Sequence, residues 1–143
     1  MDEVKDMDEL LRSSGLKITN QRRAILSILE QNELPASADE VYNALRERHI
    51  SVNLSTVYRT MERMSECGLI KKLKIINEEK SYYEFFKVMH RHFLICLNCK
   101  KMIPIQGCPL KGYEKALEEK TDYKIAGHRL DIYGYCPECN SDI

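Results

Sequence analysis

The spacing of apolar residues changes near residue 86 of this 143-residue chain. Before that point, apolar side chains recur every three or four residues over 19–32, 37–47 and 54–67, which is the period of a helix with one buried face. A shorter helix precedes these segments and ends at Ser14 and Gly15. Two short runs then follow on either side of a turn, and they predict a two-stranded wing over 69–76 and 81–86.

Local signals agree with these helix limits. Thr19 is placed to open the second helix, and Ser37 with Glu40 matches a capping box at the start of the third. Three such helices followed by a wing predict a winged helix-turn-helix, in which the fourth helix of the chain, 55–67, is the recognition helix.

The second part of the chain mixes short strands with one helix. The pattern predicts strands over 92–96 and 102–105, a helix over 109–120 and a long strand over 123–136. We therefore predict an α+β protein with two domains, a winged-helix domain over 1–86 and an α/β domain over 87–143.

Four of the six cysteines form two Cys-x-x-Cys pairs, Cys96 with Cys99 and Cys136 with Cys139. Two such turns can complete the tetrahedral shell that Zn²⁺ prefers. The 36 residues between the pairs exceed the spacing of a compact zinc ribbon, so a small subdomain must lie between them. Disulfides are the alternative. The acidic N-terminus lacks a signal-peptide core, however, which predicts a cytoplasmic protein with reduced thiols and a structural zinc site.

Composition excludes some partners and restricts others. The net charge is zero, and no apolar run approaches the twenty residues of a membrane span. Residues 1–9 hold five acids and one base, whereas 10–86 hold twelve bases and ten acids. Binding to DNA must therefore depend on a local basic face rather than on total charge.

The polar side of the predicted recognition helix provides candidates for that face. Arginine is well shaped to read guanine in the major groove, and tyrosine can contact phosphate or a thymine methyl group. Residues at the start of the second helix are candidates for backbone or minor-groove contacts. The alternative is an ordinary solvated helix surface. The candidate DNA-binding residues are Ser55, Thr56, Tyr58, Arg59, Lys17 and Arg22.

Three histidines and a further cysteine predict a second metal site. His90 and His92 are two residues apart on a strand, so both point to one face, and His128 lies on the predicted long strand. Cys108 precedes Pro109, which places its thiol at the start of the predicted helix, where a thiolate is favoured. Three imidazoles and one thiolate suit Zn²⁺. Surface histidines and a small core cysteine are the alternative.

Five segments in order resemble the ferric uptake regulator (Fur) superfamily of bacterial metal-sensing repressors. They are GLKITNQRRAIL, SADEVYNAL, STVYRT, HxHFLICLNC and GHRLDIYGYCPEC. The resemblance implies a homodimer with N-terminal DNA-binding domains, C-terminal dimerisation domains and a Cys₄ zinc site. It also implies that Tyr58 and Arg59 contact an operator in double-stranded DNA and that Arg22 approaches the minor groove. Dimer symmetry predicts a pseudo-palindromic operator.

Departures from the family pattern narrow the sensed metal. The ligand positions of the iron and peroxide sensors correspond here to Pro35, Arg91, Phe93 and Pro104, and only Glu84 is retained. At the other sensing site, Lys111 stands at the glutamate position and Cys108 lies nearby, in a segment similar to those of zinc uptake regulators (Zur). We therefore predict zinc-dependent repression of zinc acquisition genes, with regulatory zinc at His90, His92, Cys108 and His128.

Three other functions are compatible with these residues. An iron, manganese or nickel sensor would preserve the family resemblance. A zinc hydrolase would need a general base, for which Glu84 is the only clear candidate, so we predict a regulator rather than an enzyme. A redox switch could involve Cys67, Cys108 or the Cys-x-x-Cys pairs.

Overall fold

Four helices and a small sheet form the first of two compact units, Met1–Val88 and Met89–Ile143. The computed structural model describes residues 2–85 and 91–141. Each unit is considered by itself. The elements of the first are α1 Asp2–Ser13, α2 Asn20–Gln31, β1 Ala36–Ser37, α3 Ala38–Glu47, α4 Leu54–Glu66, β2 Ile70–Lys74 and β3 Ser81–Phe85.

Side-chain caps set the starts of three helices, because each satisfies a backbone N–H that has no partner within the helix. Thr19 accepts from the N–H of Arg22 at 3.1 Å, and Ser37 accepts from the N–H of Glu40 at 3.3 Å. Asn53 caps α4 by accepting from the N–H of Thr56 at 2.8 Å. The first two caps confirm the predicted helix starts.

Apolar stripes of α2, α3 and α4 meet in one core. Val57, Met61 and Met64 of α4 are completely buried, and so are Val41 and Leu45 of α3. This packing fixes which face of α4 remains exposed. The sheet has the order β1-β3-β2 and is antiparallel throughout. Its hairpin confirms the predicted wing, whereas the two-residue β1 was not predicted.

A three-stranded sheet organises the second unit, with β4 (His92–Cys96) between an antiparallel β5 (Met102–Ile105) and a parallel β6 (Asp131–Gly134). Among the described residues its buried apolar side chains are few, namely Phe93, Ile95, Cys96 and Met102. The helices of this unit are α5 Lys111–Thr121 and the short α6 Pro137–Asn140.

Two predictions for this unit are wrong in their limits. The long strand over 123–136 is reduced to Asp131–Gly134, because β4, its only partner among the described residues, offers four pairing positions to it. The helix begins at Lys111, after a turn in which the Lys111 N–H donates to the carbonyl oxygen of Cys108 at 3.4 Å. Cys108 therefore precedes the helix by a full turn instead of lying at its N-terminus.

One face of the second sheet carries a row of exposed apolar side chains. Leu94 lies opposite Ile103 on β5 and opposite Ile132 on β6, so the three share a face. They are 42%, 48% and 46% exposed, respectively. As for membranes, none of the helices in the described part of the chain is long and apolar enough to cross a bilayer.

Candidate metal centres and DNA-contact face

The four cysteines of the Cys-x-x-Cys pairs lie together, with all their sulfur atoms within 4.8 Å of one another. Cys96 ends β4, and Cys99 lies in the tight turn that follows. Cys136 precedes α6 and Cys139 lies within it. The sequence separates the pairs by 36 residues, and the parallel pairing of β4 with β6 brings them together.

This cluster fits a tetrahedral zinc ion. Zn–S bonds of about 2.3 Å separate sulfur atoms by roughly 3.8 Å in a tetrahedron. The sulfur atoms of Cys99 and Cys136 are 3.8 Å apart. The backbone N–H groups of Cys136 and Cys99 donate to the sulfur of Cys96 and lower its pKa to about 6. Such donors favour the thiolate that a zinc ligand must supply.

A second cluster joins β4 to the residues on either side of α5. The Nε2 atoms of His92 and His128 are 2.9 Å apart, and the sulfur of Cys108 lies 3.3 Å and 3.4 Å from them, respectively. His92 is buried, and the other two residues are half-buried. His90, the fourth predicted ligand, lies outside the described residues.

The outer nitrogen of each imidazole in this cluster has a hydrogen-bond acceptor. His92 Nδ1 lies 3.0 Å from the backbone carbonyl oxygen of Leu130, and His128 Nδ1 contacts the carboxylate of Glu114. Both acceptors require a proton on Nδ1, so each imidazole in its neutral form directs its Nε2 lone pair towards the other and towards Cys108. Outer partners of this kind orient histidine ligands in metal sites.

The spacing of these three donors also suits zinc. With Zn–N bonds of about 2.0–2.1 Å and a Zn–S bond of about 2.3 Å, a tetrahedron separates N from N by roughly 3.3 Å and N from S by roughly 3.6 Å. The three observed distances are shorter by a few tenths of an ångström. A small outward movement of the side chains would therefore accommodate the ion.

Glu114 was missed in the sequence analysis. The family pattern directed attention to Lys111, which is three residues earlier on α5. Positions three apart on a helix share a face, so a carboxylate at either can approach the same site. A search one helical turn downstream of Lys111 would have identified Glu114.

The exposed face of α4 carries the predicted DNA-contact residues. Tyr58 is 41% exposed, Ser55 and Arg59 are exposed, and Thr56 is half-buried. A groove runs along this face, lined by Tyr58, Arg59, Glu62, Arg63, Glu66 and Cys67. Lys17 and Arg22 lie around the start of α2 instead, where the Arg22 guanidinium donates to the carbonyl oxygen of Lys17 at 2.8 Å.

Acidic residues hold parts of this face in place. Glu62 on α4 forms an ion pair with Lys72 of the wing at 2.7 Å and accepts a hydrogen bond from Tyr83. The Lys72 contact and the Tyr83 hydrogen bond together keep the pKa of Glu62 below its usual value. Asp39 on α3 accepts a hydrogen bond from the hydroxyl of Tyr58 at 3.0 Å. Helix α4 is thus tied to both the wing and α3.

Comparison with known proteins identifies the relatives of the chain. Residues 13–133 match the model of the ferric uptake regulator family. The peroxide operon regulator of Bacillus subtilis is 35% identical over 138 residues, covering 96% of this chain and 94% of that protein. The ferric uptake regulator of Vibrio cholerae has 29% identity and a TM-score of 0.80, covering 90% of this chain and 98% of that one. A zinc-bound manganese uptake regulator has 27% identity and a TM-score of 0.71, covering 91% and 98%.

These relatives are named for different signals. The names refer to peroxide, ferric iron and manganese, and none of the three is a zinc uptake regulator. The matches therefore extend over both units of the chain but do not specify the metal that it senses.

Proposed function

The chain belongs to the ferric uptake regulator family, and from this premise we propose that it is a zinc-responsive repressor of zinc acquisition genes. Members of this family are metal-responsive, dimeric, DNA-binding transcriptional regulators and not enzymes. The proposal concerns the sensed metal, the ligand set and the residues that contact DNA.

The observation that carries the choice of metal is the second cluster. The Nε2 atoms of His92 and His128 lie 2.9 Å apart, and the Nδ1 atom of each ring already has a hydrogen-bond acceptor. The thiol of Cys108 lies beside both Nε2 atoms. Facing lone pairs at this distance repel each other unless a proton or a cation lies between them. A bound Zn²⁺ would supply that positive charge, and a mixed nitrogen and sulfur donor set suits it better than the oxygen-rich sets preferred by manganese. We include His90 as the fourth ligand.

A peroxide-responsive regulator with iron or manganese is the second candidate, favoured by the similarity to the Bacillus subtilis protein. Against it stand four positions at which the family pattern has ligands. Here they are occupied by Pro35, Arg91, Phe93 and Pro104. None of these side chains is an ordinary metal ligand. The donors of the second cluster are therefore the better basis for sensing in this chain.

The link from metal to DNA follows from where the ligands lie in the chain. His92 follows Phe85, the last residue of β3, by only seven positions along the chain, and His90 follows it by five. Ligands so close to the wing allow metal binding to restrict the chain directly after the DNA-binding unit. Affinity for DNA changes only if the metal binds the DNA-competent conformation more tightly than others.

The proposed homodimer is supported by the second sheet. The exposed row of Leu94, Ile103 and Ile132 is apolar and continuous across all three strands. A second copy of the chain that covers this row would remove it from water. Two DNA-binding units related by twofold symmetry would then require a pseudo-palindromic operator.

The metal proposal is tested by measuring metal content and DNA binding on the same sample. We expect two zinc ions per protomer, and we expect mild chelation to remove one of them and abolish tight operator binding. Restoration by Zn²⁺, but not by Fe²⁺ or Mn²⁺ under anaerobic conditions, is the expected result. A single retained zinc, with binding restored by Fe²⁺ or Mn²⁺, would favour the peroxide-responsive or another iron or manganese regulator.

Replacement of Arg59 by alanine tests the DNA-contact face. Loss of a base contact should weaken the free energy of operator binding by roughly 1–3 kcal/mol and relax the specificity for one base pair of the operator. The charge-matched control is Arg48→Ala, since Arg48 is hydrogen-bonded to Ser27 and Gln31 of α2. Competition titrations at fixed salt against operator and random duplexes provide the measurement. Equal losses for the two variants on both duplexes would exclude Arg59 as a base-reading residue.

A further inference from the structure

The hydroxyl group of Tyr58 has only one proton, and the hydroxyl donates it in a hydrogen bond to Asp39. Its oxygen lies 3.0 Å from Oδ2 of Asp39, in the first turn of α3. An ionised carboxylate can only accept hydrogen bonds, so the tyrosine must be the donor. The lone pairs of the tyrosine oxygen remain available to a partner outside the protein.

Several features support this arrangement. The Asp39 hydrogen bond raises the pKa of Tyr58, so the phenol keeps its proton at neutral pH. Asp39 lies in the first turn of a helix, where a negative charge is favoured. The Nζ atom of Lys80, from the turn of the wing, lies 3.8 Å from the same Oδ2 atom. Asp39 therefore contacts both the recognition helix and the wing.

From this geometry we infer that Asp39 determines base specificity by making the Tyr58 hydroxyl group an acceptor towards DNA. In the major groove the available donors are the amino groups of adenine N6 and cytosine N4, whereas guanine O6 and N7 and thymine O4 are acceptors. A tyrosine held in this way selects an amino group. It cannot donate to a phosphate oxygen while its hydroxyl donates to Asp39.

The inference predicts a preference pattern that differs from other uses of tyrosine. At the contacted position, A·T and C·G should bind alike, because each presents an amino group on the same strand. Both should bind more tightly than T·A and G·C, by on the order of fivefold for a single neutral hydrogen bond. Contact of the ring with a thymine methyl group would instead favour T·A alone.

The inference rests on the proposed DNA-binding function, so the first step tests that function. The full-length chain, loaded in parallel with Zn²⁺, Fe²⁺ or Mn²⁺, is used to select duplexes from a random pool. Selection with Tyr58→Phe then identifies the position at which preference is lost. Four duplexes that differ only there are titrated at fixed salt with the wild type and three variants, Asp39→Ala, Asp39→Asn and Tyr58→Phe.

The two Asp39 variants separate charge from hydrogen-bonding direction. Both remove a negative charge and should bind all four duplexes more tightly. Asparagine keeps an acceptor oxygen for the tyrosine, so Asp39→Asn should retain the amino preference. Asp39→Ala frees the tyrosine proton and should reduce the preference to near unity, as Tyr58→Phe does. In a Tyr58→Phe background, Asp39→Ala should change the preference no further.

The possible failures can be distinguished. If no sequence is enriched with any of the three metals, the proposed function fails and the inference fails with it. If an operator is selected but Asp39→Ala keeps the wild-type ratios, the function stands and the role of Asp39 is excluded. A preference for T·A alone, or the absence of any position sensitive to Tyr58→Phe, would also overturn the inference.

Discussion

Replacement of Cys96 by serine is expected to unfold the second unit while the first remains folded. Within the described residues, the first unit has nineteen buried apolar side chains in one cluster, whereas the second has four, and its helices bury none. So small a core cannot offset the conformational entropy of folding. Structural zinc contributes about 10–16 kcal/mol of apparent binding free energy in zinc-finger peptides, which is larger than the stability of most domains.

Hydrogen exchange read by mass spectrometry distinguishes the two units. In Cys96→Ser, amide protection should be lost over 91–141 and kept over 20–85, and the bound zinc should fall in parallel. Cys67→Ser is the matched control, because Cys67 is exposed and belongs to neither metal cluster. If Cys96→Ser retains wild-type protection over 91–141 after chelation, the structural role of the Cys₄ site is wrong.

Replacement of Cys108 by serine is expected to abolish the zinc response without unfolding either unit. Cys108 is half-buried, lies in a turn and, among the residues that the structure describes, supplies the single sulfur of the second cluster. A coupling of about 1–3 kcal/mol corresponds to a roughly 5- to 150-fold increase in operator affinity on zinc binding. That factor should fall to near one in Cys108→Ser at the same free zinc concentration. Fluorescence anisotropy in zinc-buffered solution measures it directly.

The role of Glu114 should appear in the same titrations as a shift in zinc affinity. Loss of an outer partner of a histidine ligand typically weakens metal binding 10- to 100-fold. Glu114→Gln should therefore need a higher zinc concentration, while the operator affinity at saturating zinc remains that of the wild type. Glu119→Gln, at an exposed position of the same helix, is the control.

An unchanged zinc midpoint in Cys108→Ser would exclude the second cluster as the sensing site.

Much of the first unit was predictable because its signals are local. The three- and four-residue spacing of Val57, Met61 and Met64 requires only that a helix bury one side, and all three are completely buried. The long strand over 123–136 failed for the opposite reason. Alternating residues describe a possible strand, but a strand forms only where a neighbour supplies hydrogen bonds, and the paired part of β6 stops at Gly134.

The same contrast between local and distant signals applies to the zinc site and to the residues Glu114 and Asp39. The cysteine pairs could be recognised because their spacing is itself the ligand geometry of a zinc site. The role of Asp39 could not be recognised, since it acts through Tyr58, a side chain that is distant along the chain. Glu114 acts on the distant His128, and only its helical spacing from Lys111 pointed to it. Nothing in the residues around Asp39 indicates that its carboxylate reaches α4.

The two imidazoles of the second cluster differ in whether a substitution elsewhere in the chain can change their orientation. His92 is oriented by the backbone carbonyl of Leu130, an atom that every amino acid at that position would supply. His128 is oriented by the side chain of Glu114, which one codon change can remove or shorten. Substitutions at position 114 of α5 should therefore change the metal affinity. Substitutions at position 130 should leave the orientation of His92 unchanged. Among related proteins, variation at position 130 should not alter metal sensing. Variation at position 114 should accompany differences in the metal concentration at which each protein responds.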